Sequence, residues 1–218
     1  MLLSKDYKKR YEGIFRELLE KEQNGRFDEA ALPSYTHSNK LMSFLFWKRV
    51  ETALALAGDL KKRSVLDFGC GGGVTFRHLA DYECGITGCD NQFHEIAENI
   101  CRRLDINALI VEDLFELDNK YDIIFALDVL EHIEELEKYL QKIKTLMRPD
   151  GRLIVSGPTE NFLYRIGRKL AGFSGHYHLR NIYTIENKLE KTGLRRIRVK
   201  LLYFPTTLFR VSCWQYAR

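Results

Sequence analysis

The sequence predicts an α/β fold, a doubly wound parallel sheet, and two observations predict it. Short apolar runs alternate with stretches of helical period from residue 64 to residue 158, the pattern of strands joined by right-handed helical crossovers. Acidic residues also stand at the ends of successive runs, where loops of such a sheet converge on a ligand.

Taken in order, Leu3 to Glu22 and Lys40 to Ala57 have amphipathic helical spacing, with Pro33 and Ser34 between them. Ser64 to Phe68 reads as a first strand, Val74 to Tyr82 as a helix and Gly85 to Cys89 as a second strand. Gln92 to Leu104 is helical, with Phe93, Ile96, Ile100 and Leu104 on one stripe, and Ala108 to Val111 is a third strand. Tyr121 to Leu127 is apolar on both faces, as a central parallel strand is. Ile133 to Met147 returns to helical period, Arg148-Pro149-Asp150-Gly151 is a turn that stops it, and Arg152 to Ser156 is a fifth strand.

The first strand runs into Asp67-Phe68-Gly69-Cys70-Gly71-Gly72-Gly73. Glycine turns of this kind seat a pyrophosphate in dinucleotide folds, but an unpaired Asp repels phosphate and attracts an ammonium group. Counted from Gly69, the last position of a Gly-x-Gly-x-x-Gly fingerprint is Val74, which also disfavours a nicotinamide cofactor. Asp90 lies 21 residues beyond Gly69, near the offset at which a carboxylate grips ribose hydroxyls. Asp113 ends the third strand, placed for an exocyclic adenine amino group. Ammonium, ribose and adenine together describe S-adenosylmethionine.

Val65-Leu66-Asp67-Phe68-Gly69-Cys70-Gly71-Gly72-Gly73, Gly88-Cys89-Asp90, Glu112-Asp113-Leu114, Phe125 to His132 and Leu146 to Leu153 resemble the ordered motifs of class I S-adenosylmethionine-dependent methyltransferases. The likeness covers residues 64 to 158 and is greatest to the small-molecule and lipid-precursor branch, which includes the ubiquinone and menaquinone methyltransferases. It implies a Rossmann-like sheet of seven strands whose last pair, Arg195 to Tyr203 with Leu208 to Ala217, is an antiparallel hairpin. It implies an N-terminal helical cap over residues 1–60 and a methyltransferase domain over 61–218, with 159–182 as lid or substrate segment. Cofactor contacts follow from Asp67, Gly69 and Gly71 to the methionine part and from Asp90 to the ribose, with Cys70 and Asn91 as further cofactor-binding residues. Asp113 and Leu114 would meet the adenine, Leu127 the sulfonium and Arg49 the cofactor carboxylate, with S-adenosylhomocysteine as product. Tyr35 and His37 are candidates for the acceptor pocket.

The Asn/Asp-Pro-Pro-Tyr/Phe stretch of DNA-amino methyltransferases is replaced here by Ala126-Leu127-Asp128-Val129. A Pro-Cys nucleophile for cytosine and the paired-glutamate hairpin of arginine methyltransferases are also missing, leaving a small-molecule, lipid or sugar acceptor, methylated at oxygen. His132 is the candidate base or acceptor-orienting group, with a cofactor-shaping role as the alternative. His176, Tyr177 and His178, with Tyr164, are candidate substrate contacts; no metal is expected.

A chain of 218 residues, 45% hydrophobic, can bury one substantial core. Five cysteines without paired spacing indicate a reducing compartment, and Cys70 and Cys89 read as packing residues. Met1 to Gln23 is charged throughout and no apolar run reaches the ~20 residues of a membrane span, so a cytoplasmic protein is expected. The net charge of +4 is unevenly spread. Residues 1–60 carry 10 basic and 9 acidic groups, residues 61–158 carry 12 and 18, and residues 159–218 carry 12 and 3. The basic last quarter suggests an anionic partner, with a solvated face as the alternative. Within it, Phe162, Leu163, Ile166 and Leu170 recur at helical spacing beside Arg165, Arg168 and Lys169, a basic amphipathic helix that would serve as lid or as an ordinary packed helix, with contact to the inner membrane surface as the alternative. Phe204 to Phe209 is read as an apolar loop with a similar use. A nucleic-acid acceptor is disfavoured; a cofactor-binding protein without catalysis and a nicotinamide-dependent enzyme on a similar sheet are the rival readings.

Overall fold

The structure is a computed structural model that describes residues 3–21, 40–159, 179–203 and 207–217. Its seven strands form one sheet in the order β3-β2-β1-β4-β5-β7-β6. The strands are β1 (Ser64–Phe68), β2 (Gly85–Cys89), β3 (Ala108–Val111), β4 (Tyr121–Leu127), β5 (Met147–Pro158), β6 (Leu194–Tyr203) and β7 (Thr207–Tyr216). The first five are mutually parallel, and β7 runs antiparallel to both β5 and β6. The order reverses between β1 and β4, so the loops after β1, β2 and β4 open on a common crevice.

The helices are α1 (Lys5–Lys21), α2 (Lys40–Ala57), α3 (Phe76–Asp81), α4 (His94–Leu104), α5 (Leu136–Leu146) and α6 (Ile182–Lys191). Strand side chains alternate between two cores, because successive residues point to opposite faces. Val65, Ile123, Phe125, Ile154 and Val211 pack with α1 to α4; Leu66, Ile124, Ala126, Val155 and Trp214 pack with α5 and α6. Tyr11, Phe15, Leu18, Val50, Leu54 and Ala57 belong to the first core, so the first two helices share the hydrophobic interior of the sheet.

Four departures from the sequence expectation have a local reason. Helix α3 starts at Phe76 rather than Val74, because Gly71 and Gly73 have φ of 53° and 70° and keep the chain in a turn. Helix α4 starts at His94 because the Asp90 carboxylate captures the amides of Gln92 and Phe93 at 3.0 and 2.8 Å. Helix α5 starts at Leu136: residues Leu130–His132 form a 3-10 turn and Ile133 is extended (φ −84°, ψ 122°). The Arg148–Gly151 turn sits inside β5, where pairing to β4 jumps from Tyr121↔Met147 to Ile123↔Arg152 and loops those four residues out as a bulge.

The expected apolar loop after β6 is also corrected. Thr207 to Phe209 lie in β7, paired to β5 and β6, and Phe209 is buried against the first core. Phe204 to Thr206 lie outside the described residues, as do Pro33 to His37 and the basic amphipathic stretch from Phe162 to Leu170. Among the described residues no helix is long and apolar enough to cross a membrane.

Candidate functional site

Strand β1 delivers Asp67 to the carboxyl edge almost wholly buried, at 3% exposure. Thr75, itself buried, donates its hydroxyl to Asp67 Oδ2 at 2.5 Å across the glycine turn. Burial pushes the Asp67 carboxyl up to about 7, the Thr75 bond works against that shift, and the nearby charge of Asp90 adds to it. A neighbouring cation would reverse the balance and favour the carboxylate.

The glycines of the turn have separate uses. Gly69, at φ 72°, has its amide bonded to the Cys89 carbonyl at 2.8 Å and lies so close to Val129 that a Cβ would stand 2.5 Å from it. Gly72 is pressed by Phe15 and Tyr11, and Gly73 by Phe76. Gly71 differs: among the described residues nothing beyond its own chain neighbours lies within 4 Å of where its Cβ would be, and its amide points to Asp90 Oδ2 at 2.8 Å. It is the point in the turn where a ligand can approach the backbone.

Asp90 follows β2 and holds that arrangement together. Its Oδ2 accepts from Gly71, while its Oδ1 accepts from Gln92 and Phe93. Asn91 beside it is exposed. Asp113 follows β3, is exposed, and accepts the Phe115 amide at 2.9 Å, capping the short 3-10 turn Leu114–Glu116. Leu114 turns its side chain into the second core at 1% exposure, so its backbone is the part near the edge. The Cys70 and Cys89 thiols are buried and raised far from the thiolate, Cys89 to about 12, the state of packing residues rather than nucleophiles.

On the other side of the crevice, Leu127 ends β4 half-buried and Asp128 follows it at φ 55°, a left-handed conformation that Asp tolerates better than most residues. Three bonds hold it there. Arg49 of α2 pairs with Asp128 Oδ2, Ser156 donates its hydroxyl to Oδ1 at 3.0 Å, and the Asp128 amide donates to the Ser156 carbonyl at 3.1 Å. Arg49, 6% exposed, lies 4.3 Å from the Phe209 ring centroid and 5.3 Å from that of Phe46. The structure thus puts the guanidinium expected at a cofactor carboxylate on a protein carboxylate. His132 is exposed in the 3-10 turn after β4, beyond Glu131, which is buried. Tyr164, His176, Tyr177 and His178 lie outside the described residues.

Thr75, Asp128, Ser156 and Gly72 were not singled out from sequence. Their roles arise from contacts that leave no periodic signal, although the eight-residue offset from Asp67 to Thr75 lies within one turn and its helix entry.

A family model described as a methyltransferase domain matches residues 41–199. The chain belongs to this methyltransferase family. A ubiquinone biosynthesis O-methyltransferase from Coxiella burnetii (strain RSA 493 / Nine Mile phase I) is 26% identical over 155 residues, 66% of this chain and 64% of the relative. The chain therefore spans somewhat less than two thirds of that relative's length. A pavine N-methyltransferase from Thalictrum flavum subsp. glaucum is 37% identical over 101 residues, 43% of this chain and 28% of that protein. Among solved structures, magnesium protoporphyrin IX methyltransferase from Synechocystis PCC 6803 with bound S-adenosylhomocysteine superposes with a TM-score of 0.67 at 20% identity. That match covers 87% of this chain and 100% of the other. The PH0226 protein of Pyrococcus horikoshii OT3 gives 0.71 at 18% identity, covering 88% and 100%. These likenesses establish the class I methyltransferase fold, with its antiparallel last pair.

Proposed function

We propose that the chain transfers a methyl group from S-adenosylmethionine to a small-molecule acceptor, with oxygen as the receiving atom. The observation that carries this reading is the open face of Gly71 beside Asp67 and Asp90 at the carboxyl edge. The donor set fits the cofactor: a buried carboxylate for its ammonium group, a second for ribose hydroxyls and a third, Asp113, for the adenine amino group. Cys70, Asn91 and the backbone at Leu114 flank these contacts.

The bound cofactor supplies an electrophilic methyl carbon on a sulfonium. The residues of the chain hold the two partners in line and keep water away, which is the main source of rate in a displacement of this kind. Leu127 supplies apolar surface at the end of β4. His132, exposed beyond it, takes the proton from an acceptor hydroxyl, and Tyr164, His176, Tyr177 and His178 contact the acceptor. The name of the Coxiella relative supports an oxygen acceptor of the lipid-precursor class, and the basic last quarter suits an anionic lipid or sugar acceptor. A cytoplasmic protein working at the inner membrane surface is the setting that fits. Nitrogen as the receiving atom is the second reading, favoured by the 37% identity to the pavine enzyme.

Calorimetric titration with S-adenosylhomocysteine and with NAD, followed by product-release assays on polyprenylated phenols, sugars and amines, tests these readings in turn. Binding of S-adenosylhomocysteine and turnover with phenols are expected. Binding of NAD instead sinks the cofactor assignment; turnover with amines alone moves the acceptor atom to nitrogen; tight cofactor binding with no turnover favours a binding protein.

A further inference from the structure

Helix α1 lies outside the family match, which begins at residue 41, yet it bears on both loops that form the cofactor half of the crevice. Tyr11 and Phe15 are completely buried and fill the space that a side chain at position 72 would need. A Cβ on Gly72 would stand 2.4 Å from Phe15 Cε2 and 2.6 Å from the Tyr11 hydroxyl. The same Phe15 ring lies 6.4 Å, centroid to centroid, from Phe93, whose amide is one of the three that hold Asp90. Tyr7 adds a bond from its hydroxyl to the Val74 carbonyl at 3.0 Å. One aromatic side chain thus presses on the neighbour of Gly71 and on the residue that orients Asp90.

Separate anchors keep the helix there. Glu12 accepts from Trp47 Nε1 at 2.7 Å, Lys8 pairs with Glu51 at 2.7 Å, and Glu17 receives both terminal nitrogens of Arg103 at 2.6 and 3.2 Å. The first two tie α1 to α2 and the third to α4. The exposed Glu17 pair contributes little, whereas the two rings are fully removed from water and stabilise the docked helix by apolar burial.

We infer that Tyr11 and Phe15 are positioning residues for the cofactor turn: packed over Gly72 and Phe93, they hold the Gly71 amide and Asp90 in the arrangement that receives the nucleoside. Docking of α1 and binding of cofactor are then coupled. The inference rests on the reading of this edge as an S-adenosylmethionine site. Coupling between two equilibria is reciprocal, so cofactor must tighten the docking of α1 by the same factor that docked α1 tightens cofactor.

Titration with S-adenosylhomocysteine and hydrogen exchange on the full chain test both directions. In the parent protein, S-adenosylhomocysteine is expected to slow exchange of the amides at 11–18 at least fivefold more than those of α6. Phe15→Ala and Gly72→Ala are each expected to weaken S-adenosylhomocysteine binding at least fivefold. In the double variant the new methyl group enters the space left by the ring, so the two losses do not add. Parent-like affinity in both variants, additive losses, or α1 exchange indifferent to ligand each overturn the coupling and leave the rings as packing alone. If Phe15→Ala does not fold, Phe15→Leu and Tyr11→Phe replace it, and the exchange experiment on the parent decides without any variant. A parent protein that binds no S-adenosylhomocysteine overturns the cofactor reading and the coupling together, whereas ligand binding without coupling overturns only the coupling.

Discussion

At the β3-β2-β1 end of the sheet, the crevice is made of turns tied by carboxylates 8 to 19 residues away; at the β5-β7-β6 end it is made of side chains that meet across most of the chain. Asp67 reaches Thr75 eight residues on, and Asp90 reaches Gly71 across 19. Arg49 reaches Asp128 and Phe209 from a helix that precedes the whole sheet. On the function proposed above, the first half takes the cofactor through short-range contacts, and the second takes the acceptor, with a geometry that depends on how α2 and β7 close over β4.

The largest effect is expected at Arg49, which also tests where the border between the halves runs. Arg49→Ala leaves Asp128 in a half-closed setting without its cation, and loss of one partner of a buried pair costs about 3 kcal/mol. Denaturant unfolding would measure it, and Arg49→Met combined with Asp128→Asn should recover most of the loss. If Arg49→Met also weakens S-adenosylhomocysteine more than twofold, the guanidinium serves the cofactor carboxylate as well, and the two halves share it. Affinity unchanged within twofold assigns Arg49 to the acceptor half.

Next comes Asp90. Its two oxygens organise three amides from two loops, so Asp90→Ala removes both a ligand contact and the frame around Gly71. Affinity for S-adenosylhomocysteine should fall more than tenfold, beyond about 1.4 kcal/mol, with the acceptor half intact as judged by the near-ultraviolet signal of Trp214. Equal affinity in a folded variant removes the carboxylate grip on which the cofactor half is defined.

Asp67 gives a smaller effect with a pH signature. Its folded carboxyl holds a proton up to about 7, whereas an unfolded Asp releases it near 4. The folded state therefore binds the extra proton between those values, and the contribution of this group to stability declines as pH rises through that window. Asp67→Asn should match the parent at pH 4 and exceed it in stability at pH 8. Cofactor affinity should show the reverse trend, rising with pH to about 7 in the parent and flat in the variant, because the ligand ammonium prefers the carboxylate. A parent affinity independent of pH from 5 to 8 would show that Asp67 does not face the ammonium group.

The same contrast between halves governs how much was legible in the sequence. Strands β1 to β4 begin and end where the apolar runs do, because each is a short apolar stretch closed by Gly, Asp or Glu. The carboxylates at their ends could be placed from strand ends alone. Phe209 falls both in the apolar loop that ends at it and in the strand expected from Leu208, and the alternation of Phe209, Val211 and Cys213 on one face of β7 puts it in the strand. The partner of Asp128 had no local signature: an Arg on an amphipathic helix can face any carboxylate in the fold, and only the packed structure chooses. Helix α1 was legible as a helix, but not the fact that its aromatic face lands on Gly72.

The smallest effect is expected from the basic last quarter, where the structure reduces what the sequence suggested. Arg180 donates to the carbonyls of Ile133 and Glu134, Lys188 pairs with Glu137, and Arg196 and Arg210 share the buried carboxylate of Glu186. Arg180 and Lys188 thus tie this quarter to the segment after β4 and to α5, and Arg196 and Arg210 tie α6 to the β6–β7 hairpin, so all four are engaged within the chain. Among the described residues, Arg195 and Lys200 form no ion pair and are exposed on β6, the strand at the edge of the sheet, where charge also discourages edge-to-edge association. Strand β6 runs parallel to β5 because both are antiparallel to β7, which places Arg195, opposite Gln215, at the end of the sheet away from the crevice. Lys200, opposite Val211 and hence level with Ser156, is the one of the two near it. Arg195→Gln should therefore change turnover of an anionic acceptor less than twofold, and Lys200→Gln two- to fivefold, the latter effect fading as salt shortens the reach of the charge. Equal effects at both positions would mean that the acceptor half responds to the overall charge of the strand and not to its distance from the crevice.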